Sequence, residues 1–263
     1  MITTEFVPGA PDWIDLTTFD VEAATRFYGG VFGWKFASAG PEAGGYGMFR
    51  RGGRTVAGAM AVPAGQAPPA WNLYFHTTDA DATAEVVEQA GGKVCHPPQD
   101  VFEEGRVAVC ADPSGAAFGL WQPKNTKGFE YATGDGGLNW AQLHTADVDA
   151  AKRFYTDVFG WGTFDIEFPG GLYTSVNPAG AGPDSMFGGI VPLESDPAEA
   201  SAGSHWTLYF HVSDVDAAAD RARELGGTVR TEPFNLAKVG RIAKLADPSG
   251  ARFAVIKGDP EQE

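Results

Sequence analysis

Asp20-Val-Glu-Ala-Ala-Thr-Arg-Phe-Tyr-Gly-Gly-Val-Phe-Gly-Trp34 returns as Asp147-Val-Asp-Ala-Ala-Lys-Arg-Phe-Tyr-Thr-Asp-Val-Phe-Gly-Trp161, identical at 11 of 15 positions and displaced by 127 residues. Each copy reads as a capped amphipathic helix. Asp is a preferred N-cap, because its carboxylate satisfies backbone N–H groups that the first turn leaves free. Behind Asp20, the residues Val21, Ala24, Phe27, Tyr28, Val31 and Phe32 fall on one helical face, and Gly33 supplies a left-handed stop.

Two further stretches repeat. Trp71-Asn-Leu-Tyr-Phe-His76 returns as Trp206-Thr-Leu-Tyr-Phe-His211, and Arg106-Val-Ala-Val-Cys-Ala-Asp-Pro-Ser-Gly115 as Arg241-Ile-Ala-Lys-Leu-Ala-Asp-Pro-Ser-Gly250, both displaced by 135. The chain is therefore two homologous halves, the second carrying a net insertion of 135 − 127 = 8 residues. An alternating strand, an Asp and a helical pattern ending in Gly occur four times, with caps at Asp20, Asp79, Asp147 and Asp214. Asp-Pro-Ser-Gly suits a tight turn, so strands should return through Ala117–Trp121 and Arg252–Ile256. The predicted architecture is α+β: two tandem domains over 8–124 and 136–258 joined by a linker over 125–135, each made of two strand-helix-strand-strand-strand modules. Val62–Ala70 and Pro192–Ser204, rich in Pro, Gly, Ser and Ala, read as exposed connections.

The 263 residues carry 19 Lys+Arg against 34 Asp+Glu, a formal net charge of −15. That excess repels phosphate backbones and anionic lipid, which excludes nucleic acid and membrane surfaces as expected partners. No apolar run approaches the roughly 20 residues of a membrane span, and Glu5 stands where a signal peptide wants a positive charge. The expectation is a cytoplasmic protein. Cys95 and Cys110 have no Cys-x-x-Cys spacing and read as two reduced, packed thiols.

Four such modules, a helix reading Phe-Tyr-x-x-Val-Phe-Gly-Trp and late Asp-Pro-Ser-Gly turns together resemble the vicinal oxygen chelate superfamily, over nearly the whole chain. That group includes glyoxalase I, extradiol dioxygenases and the bleomycin and fosfomycin resistance proteins; two-domain glyoxalase-like proteins of actinobacteria are especially similar. The resemblance implies paired modules whose curved sheets form a cleft, and in metal-dependent members His, Gln or Glu ligands on inward-facing strands. The first-strand ligand position, seven residues before the capping Asp, falls on Trp13 and Trp140. The position on the first strand of the partner module falls on Asn72 and Thr207, and the last-strand glutamate position on Gly119 and Ala254. The fourth strands, Val56–Met60 and Met186–Ile190, contain no acid. A slip of two residues, which keeps the same face, reaches Ala117, Trp121, Arg252 and Ile256, which are not ligands either. No metal site and no cofactor is expected, while a divalent ion on other ligands stays open.

Because side chains alternate along a strand, the cleft-facing set implied for the first half is Trp13, Asp15 and Thr17 with Asn72, Tyr74 and His76. For the second half it is Trp140, Gln142 and His144 with Thr207, Tyr209 and His211. Their neighbours Trp71, Leu73, Phe75, Trp206, Leu208 and Phe210 should be core. Aromatic walls with a few polar groups describe a small-molecule pocket, and also a filled interface between pseudo-symmetric modules. His144 and His211, with Gln142, offer a substitute metal site or a proton-transfer pair; the alternative is two imidazoles satisfied at strand ends. Asp15, in an apolar strand, suits acid–base work if burial raises its pKa, or a structural hydrogen bond to Tyr74 or backbone. Arg106 and Arg241 read either as clamps over the cleft mouth or as surface ion pairs with acids such as Glu103 and Glu104. His96 and His205 lie in expected loops and need no role. Phosphate loops, nucleophile elbows and zinc spacings are absent from the sequence.

The leading functional expectation is a binding protein for a small planar or aromatic hydrophobic molecule. The alternative is an enzyme: a lyase, isomerase or hydroxylase-like activity using Asp15 and His211, or a glyoxalase-like reaction on a metal with unusual ligands. A third possibility is an interaction protein with both clefts filled. Four modules in one chain make a monomer sufficient, with a homodimer possible.

Overall fold

The structure is a computed structural model that describes residues 1–168 and 171–259. Among these residues the elements fall into four modules of one kind. The first comprises β1 (Pro11–Thr18), α1 (Val21–Phe32), β2 (Lys35–Ser38), β3 (Gly47–Arg51) and β4 (Arg54–Ala61). The second comprises β5 (Ala70–His76), α2 (Ala80–Gln89), β6 (Lys93–Val101), β7 (Gly105–Ala111) and β8 (Ala117–Pro123). The third comprises β9 (Leu138–Thr145), α3 (Val148–Phe159), β10 (Gly162–Phe168), β11 (Gly171–Asn177) and β12 (Gly188–Pro192). The fourth comprises β13 (His205–His211), α4 (Val215–Glu224), β14 (Thr228–Leu236), β15 (Gly240–Ala246) and β16 (Arg252–Gly258). They build two eight-stranded sheets, ordered β2-β3-β4-β1-β5-β8-β7-β6 and β10-β11-β12-β9-β13-β16-β15-β14.

Every helix starts where the sequence places its cap. The carboxylates of Asp20, Asp79, Asp147 and Asp214 accept from Ala23 N, Ala82 N, Ala150 N and Ala217 N at 2.9–3.0 Å. Gly33 (φ 70°) and Gly160 (φ 68°) end α1 and α3 in the left-handed conformation. Trp71, Leu73, Phe75, Trp206, Leu208 and Phe210 are all buried, as the strand alternation predicts.

By packing, the chain divides into two compact units. Unit one holds Met1–Trp13, Asn72–Gly128 and Trp140–Trp206; unit two holds Ile14–Trp71, Phe129–Asn139 and Thr207–Glu263. Within unit one α2 packs on α3, and within unit two α1 packs on α4, so each unit joins helices from different halves of the sequence. Gly227 permits the approach in unit two: a Cβ there would meet Phe27 Cε2 at 2.6 Å.

Each unit is tied by a hydrogen-bonded relay through its aromatic core. In unit two Trp71 Nε1 donates to Tyr28 OH (3.0 Å), which donates to Asp247 Oδ2 (3.2 Å). In unit one Trp206 Nε1 donates to Tyr155 OH (3.1 Å), which donates to Asp112 Oδ2 (3.3 Å). Asp112 and Asp247 are the first residues of the two Asp-Pro-Ser-Gly turns, and their Oδ1 atoms accept the turn's own backbone N–H groups, from Ser114 and Ala116 and from Ser249 and Ala251. Burial raises the pKa of Asp247 and holds the two phenols in their neutral, donating form.

Some expectations are corrected. Pro192–Ser204 is not simply an exposed connection, because it contains two short 3-10 turns, Leu193–Ser195 and Ala200–Ala202, and buries Glu199. His205 opens β13 and His96 lies within β6, so neither is in a loop. Cys110 is packed, with its thiol pushed up to about 12 chiefly by burial, but Cys95 is exposed.

Candidate functional site

In unit one, strand register defines one continuous face. Gln142 of β9 lies opposite Gly189 of β12, Gly189 opposite Ser175 of β11, and Ser175 opposite Phe164 of β10. Opposed residues share a face, so this side of the sheet carries Trp140, Gln142 and His144 from β9 and Tyr173 from β11. The intervening Ala141 and Leu143 are fully buried on the other side.

Tyr173 lies over Gly189, where a Cβ would come within 2.1 Å of its hydroxyl. Trp140 Nε1 donates to that hydroxyl at 2.7 Å, which locks two aromatic rings together on a half-buried surface. Burial raises the pKa of Tyr173. Beside this pair Gln142 Nε2 and His144 Nε2 are 3.2 Å apart. His144 stacks on His205, with ring centroids 5.0 Å apart and planes 12° from parallel. His205 Nδ1 donates to Gly203 O at 2.8 Å, and its buried Nε2 lies 3.3 Å from Oε2 of the buried Glu199. The partner that β9 brings to His144 within its unit is thus His205. His211, expected to meet His144, has its backbone paired with Gly136 and Gly137.

The first half is arranged differently. Asp15, buried, accepts from Tyr46 OH at 3.2 Å, and Tyr46 covers Gly58 as Tyr173 covers Gly189. Tyr74 lies over Gly119, its register partner on β8. Trp13 is buried and Asn72 half-buried, while in the second half Thr207 and Tyr209 are buried. Tyr46 escaped notice in the sequence because it stands in a loop before β3, although its counterpart 127 residues on, Tyr173, repeats it.

His76 is not a cleft residue acting alone. Its Nδ1 lies 3.1 Å from Oδ2 of Asp12, a fully buried carboxyl whose Oδ1 has no hydrogen-bond partner. Burial pushes Asp12 well up, partly offset by the backbone N–H groups of Asp12 and Trp13, and pushes His76 down. Both shifts favour a neutral pair. An acid whose folded pKa is raised contributes stability that is full below its ordinary value of 3.8 and lost as pH rises through the folded value. The equivalent residue 127 positions on is Asn139. Asp12→Asn should therefore be more stable than the parent toward urea at pH 8, with the gap closing toward pH 4; a less stable variant at pH 8 would contradict a neutral pair.

Arg106 and Arg241 each pair with an aspartate at the start of a helix. Arg106 makes two bonds to Asp81 (2.7 and 2.9 Å) and also reaches Asp100; Arg241 makes two to Asp216 (2.5 and 2.6 Å). Asp81 and Asp216 stand in the first turns of α2 and α4, so these are surface pairs on the helix side, with partners other than Glu103 and Glu104. A separate cleft of about 280 Å³ opens in unit two between the end of α1 and the start of α4, lined by Val31, Phe32, Asp135, Ser213, Asp214 and Arg221 among others. None of the expected cleft residues lines it.

The sequence profile of the Glyoxalase/Bleomycin resistance protein/Dioxygenase superfamily matches residues 10–120 and 137–255. Among related sequences, "Putative glyoxylase CFP32" of Mycobacterium tuberculosis is 38% identical over 264 residues, covering 98% of both chains. Anthracycline biosynthesis protein DauV of Streptomyces sp. (strain C5) is 39% identical over 269 residues, covering 97% of this chain and 95% of DauV. Among solved structures, the 2,3-dioxygenase LapB of Pseudomonas sp. KL28 superposes with a TM-score of 0.63 at 15% identity, over 98% of this chain and 96% of LapB. The Mn(II)-bound glyoxalase of Novosphingobium aromaticivorans superposes with a TM-score of 0.62 at 17% identity, over 94% and 81%. At such identities the structural likeness concerns the fold.

Proposed function

We propose that this chain, which belongs to the Glyoxalase/Bleomycin resistance protein/Dioxygenase superfamily, is a cytosolic binding protein for a planar aromatic small molecule. The observation that carries the reading is the Trp140–Tyr173 pair, two rings fixed by a 2.7 Å bond beside Gln142. Fixed aromatic surface with few polar groups recognises flat apolar ligands, because the rings lose little conformational freedom on binding. The relative named for anthracycline biosynthesis supports the ligand class, since anthracyclines are fused planar ring systems. The halves 8–124 and 136–258, taken as domains, are assigned different tasks, because Asp15 with Tyr46 stands in one where Gln142 stands in the other.

A structural neighbour holds Mn(II); at the positions where the superfamily resemblance places metal ligands, this chain carries Trp13 and Trp140, Asn72 and Thr207, Gly119 and Ala254. Trp13 and Trp140 offer an indole N–H, which donates only, and Tyr74 fills the space that a side chain at 119 would need. Among the described residues no three His, Cys, Asp or Glu side chains gather as a ligand set. A second reading, acid–base catalysis on the same face, is favoured by His144, His205 and Glu199, where an imidazole and a buried carboxyl stand 3.3 Å apart. Loss of turnover with retained binding in His205→Gln would distinguish it.

Anthraquinone-2-sulfonate at a hundred-fold excess over its Kd should stabilise the chain by about 2.7 kcal/mol, raising the Tm by roughly 5–10 °C. Absence of any shift with this probe and with 1,4-naphthoquinone would overturn the binding reading.

A further inference from the structure

The binding face continues onto the edge of its sheet through two exposed apolar side chains. Phe164 and Ile166 of β10 are 56% and 42% exposed and stand two residues apart, hence on one side of the strand. Ile166 lies opposite Tyr173, and Phe164 opposite Ser175, which places both on the face of Trp140 and Gln142. The other side of the hairpin is pinned to α3: Asp165 accepts from Lys152 Nζ (2.8 Å) and from Thr174 Oγ1 (2.6 Å). Phe164 and Ile166 therefore cannot turn away from the binding face without breaking those bonds.

The first half lacks this extension. The positions 127 residues earlier are Ala37 and Ala39, and β2 ends at Ser38. Edge strands are ordinarily protected by charge or brevity, so two large apolar groups on a seven-residue edge strand call for something that covers them. Their continuity with the Trp140–Tyr173 pair points to the same ligand.

We propose that Phe164 and Ile166 are specificity determinants that select a polycyclic ligand over a single-ring or two-ring one. The proposal rests on the binding reading above and deepens it. From β9 across β12 and β11 to β10 are three strand spacings, about 14 Å in all, a span that a fused polycycle bridges and a small bicycle does not. The polar end of the ligand lies toward Gln142 and His144, and its apolar end is covered by Phe164 and Ile166.

The test is the double variant Phe164→Ala/Ile166→Ala, which restores the residues of the first half at exposed positions. Binding of 1,4-naphthoquinone and 5,12-naphthacenequinone is titrated by quenching of tryptophan fluorescence. The four-ring probe should lose about ten-fold in affinity and the two-ring probe less than about two-fold. Unchanged four-ring affinity overturns the proposal. If Trp140→Ala abolishes binding of both probes while the hairpin variant has no effect, the hairpin role fails and the binding reading stands; if neither probe binds the parent chain, both fall. Sedimentation of parent and variant covers the remaining occupant: a parent dimer that becomes monomeric in the variant assigns the patch to a contact between copies and overturns the ligand role.

Discussion

Tyr155→Phe should lower the free energy of unfolding by about 2–4 kcal/mol, because it strands two buried polar groups at once. The hydroxyl of Tyr155 is fully buried, donates to Asp112 Oδ2 and accepts from Trp206 Nε1. Its removal leaves an indole N–H and a carboxylate oxygen facing a phenyl edge, each at about 1–3 kcal/mol, while the ring's packing against Phe75, Phe118 and Trp161 is retained. Tyr28→Phe should behave alike, since Trp71 and Asp247 stand in the same relation to it. Tyr131→Phe is the control: its hydroxyl donates to Asp135 O in a part-buried setting, so about 1 kcal/mol or less is expected. Urea unfolding of the three variants checks this, and equal losses in all three would show that the relays contribute nothing beyond an ordinary hydroxyl.

Trp140→Ala should weaken binding of anthraquinone-2-sulfonate by about thirty-fold or more, the effect of removing an aromatic anchor worth roughly 2 kcal/mol. Two consequences add. The stacking surface disappears, and Tyr173 loses the donor that fixes it over Gly189. Trp140→Phe separates them by keeping a ring and removing the N–H, so an intermediate loss is expected. Trp140 is half-buried and its loss leaves the Tyr173 hydroxyl without that donor, so the variant should be about 1–3 kcal/mol less stable, while circular dichroism of the folded variant should match the parent. Retained affinity in Trp140→Ala would place the ligand elsewhere.

What the sequence made legible was local. A cap needs an Asp and the N–H three residues on, so Asp20, Asp79, Asp147 and Asp214 could be placed from spacing alone. Alternation separated Leu73 and Phe75 from Asn72 and Tyr74 in the same way. Contacts between distant segments were not legible: Tyr28 and Asp247 are 219 positions apart, and nothing in either motif names the other. His205 and Glu199 escaped because a Pro, Ser and Ala-rich stretch reads as exposed, whereas here it folds back and buries a carboxylate against an imidazole. The arginines were placed by strand position, but their partners Asp81 and Asp216 are set by how α2 and α4 lie on their strands. Phe164 and Ile166 did leave a signal: the repeat aligns them with Ala37 and Ala39, a contrast that gains meaning only once register shows which face they share.

A crystal structure of the chain soaked with anthraquinone-2-sulfonate shows whether a planar ligand lies on the β9–β11 face. Ring density is expected stacked on Trp140 and Tyr173, with a polar edge toward Gln142. Density instead in the cleft between α1 and α4, beside Asp214 and Arg221, would contradict that placement.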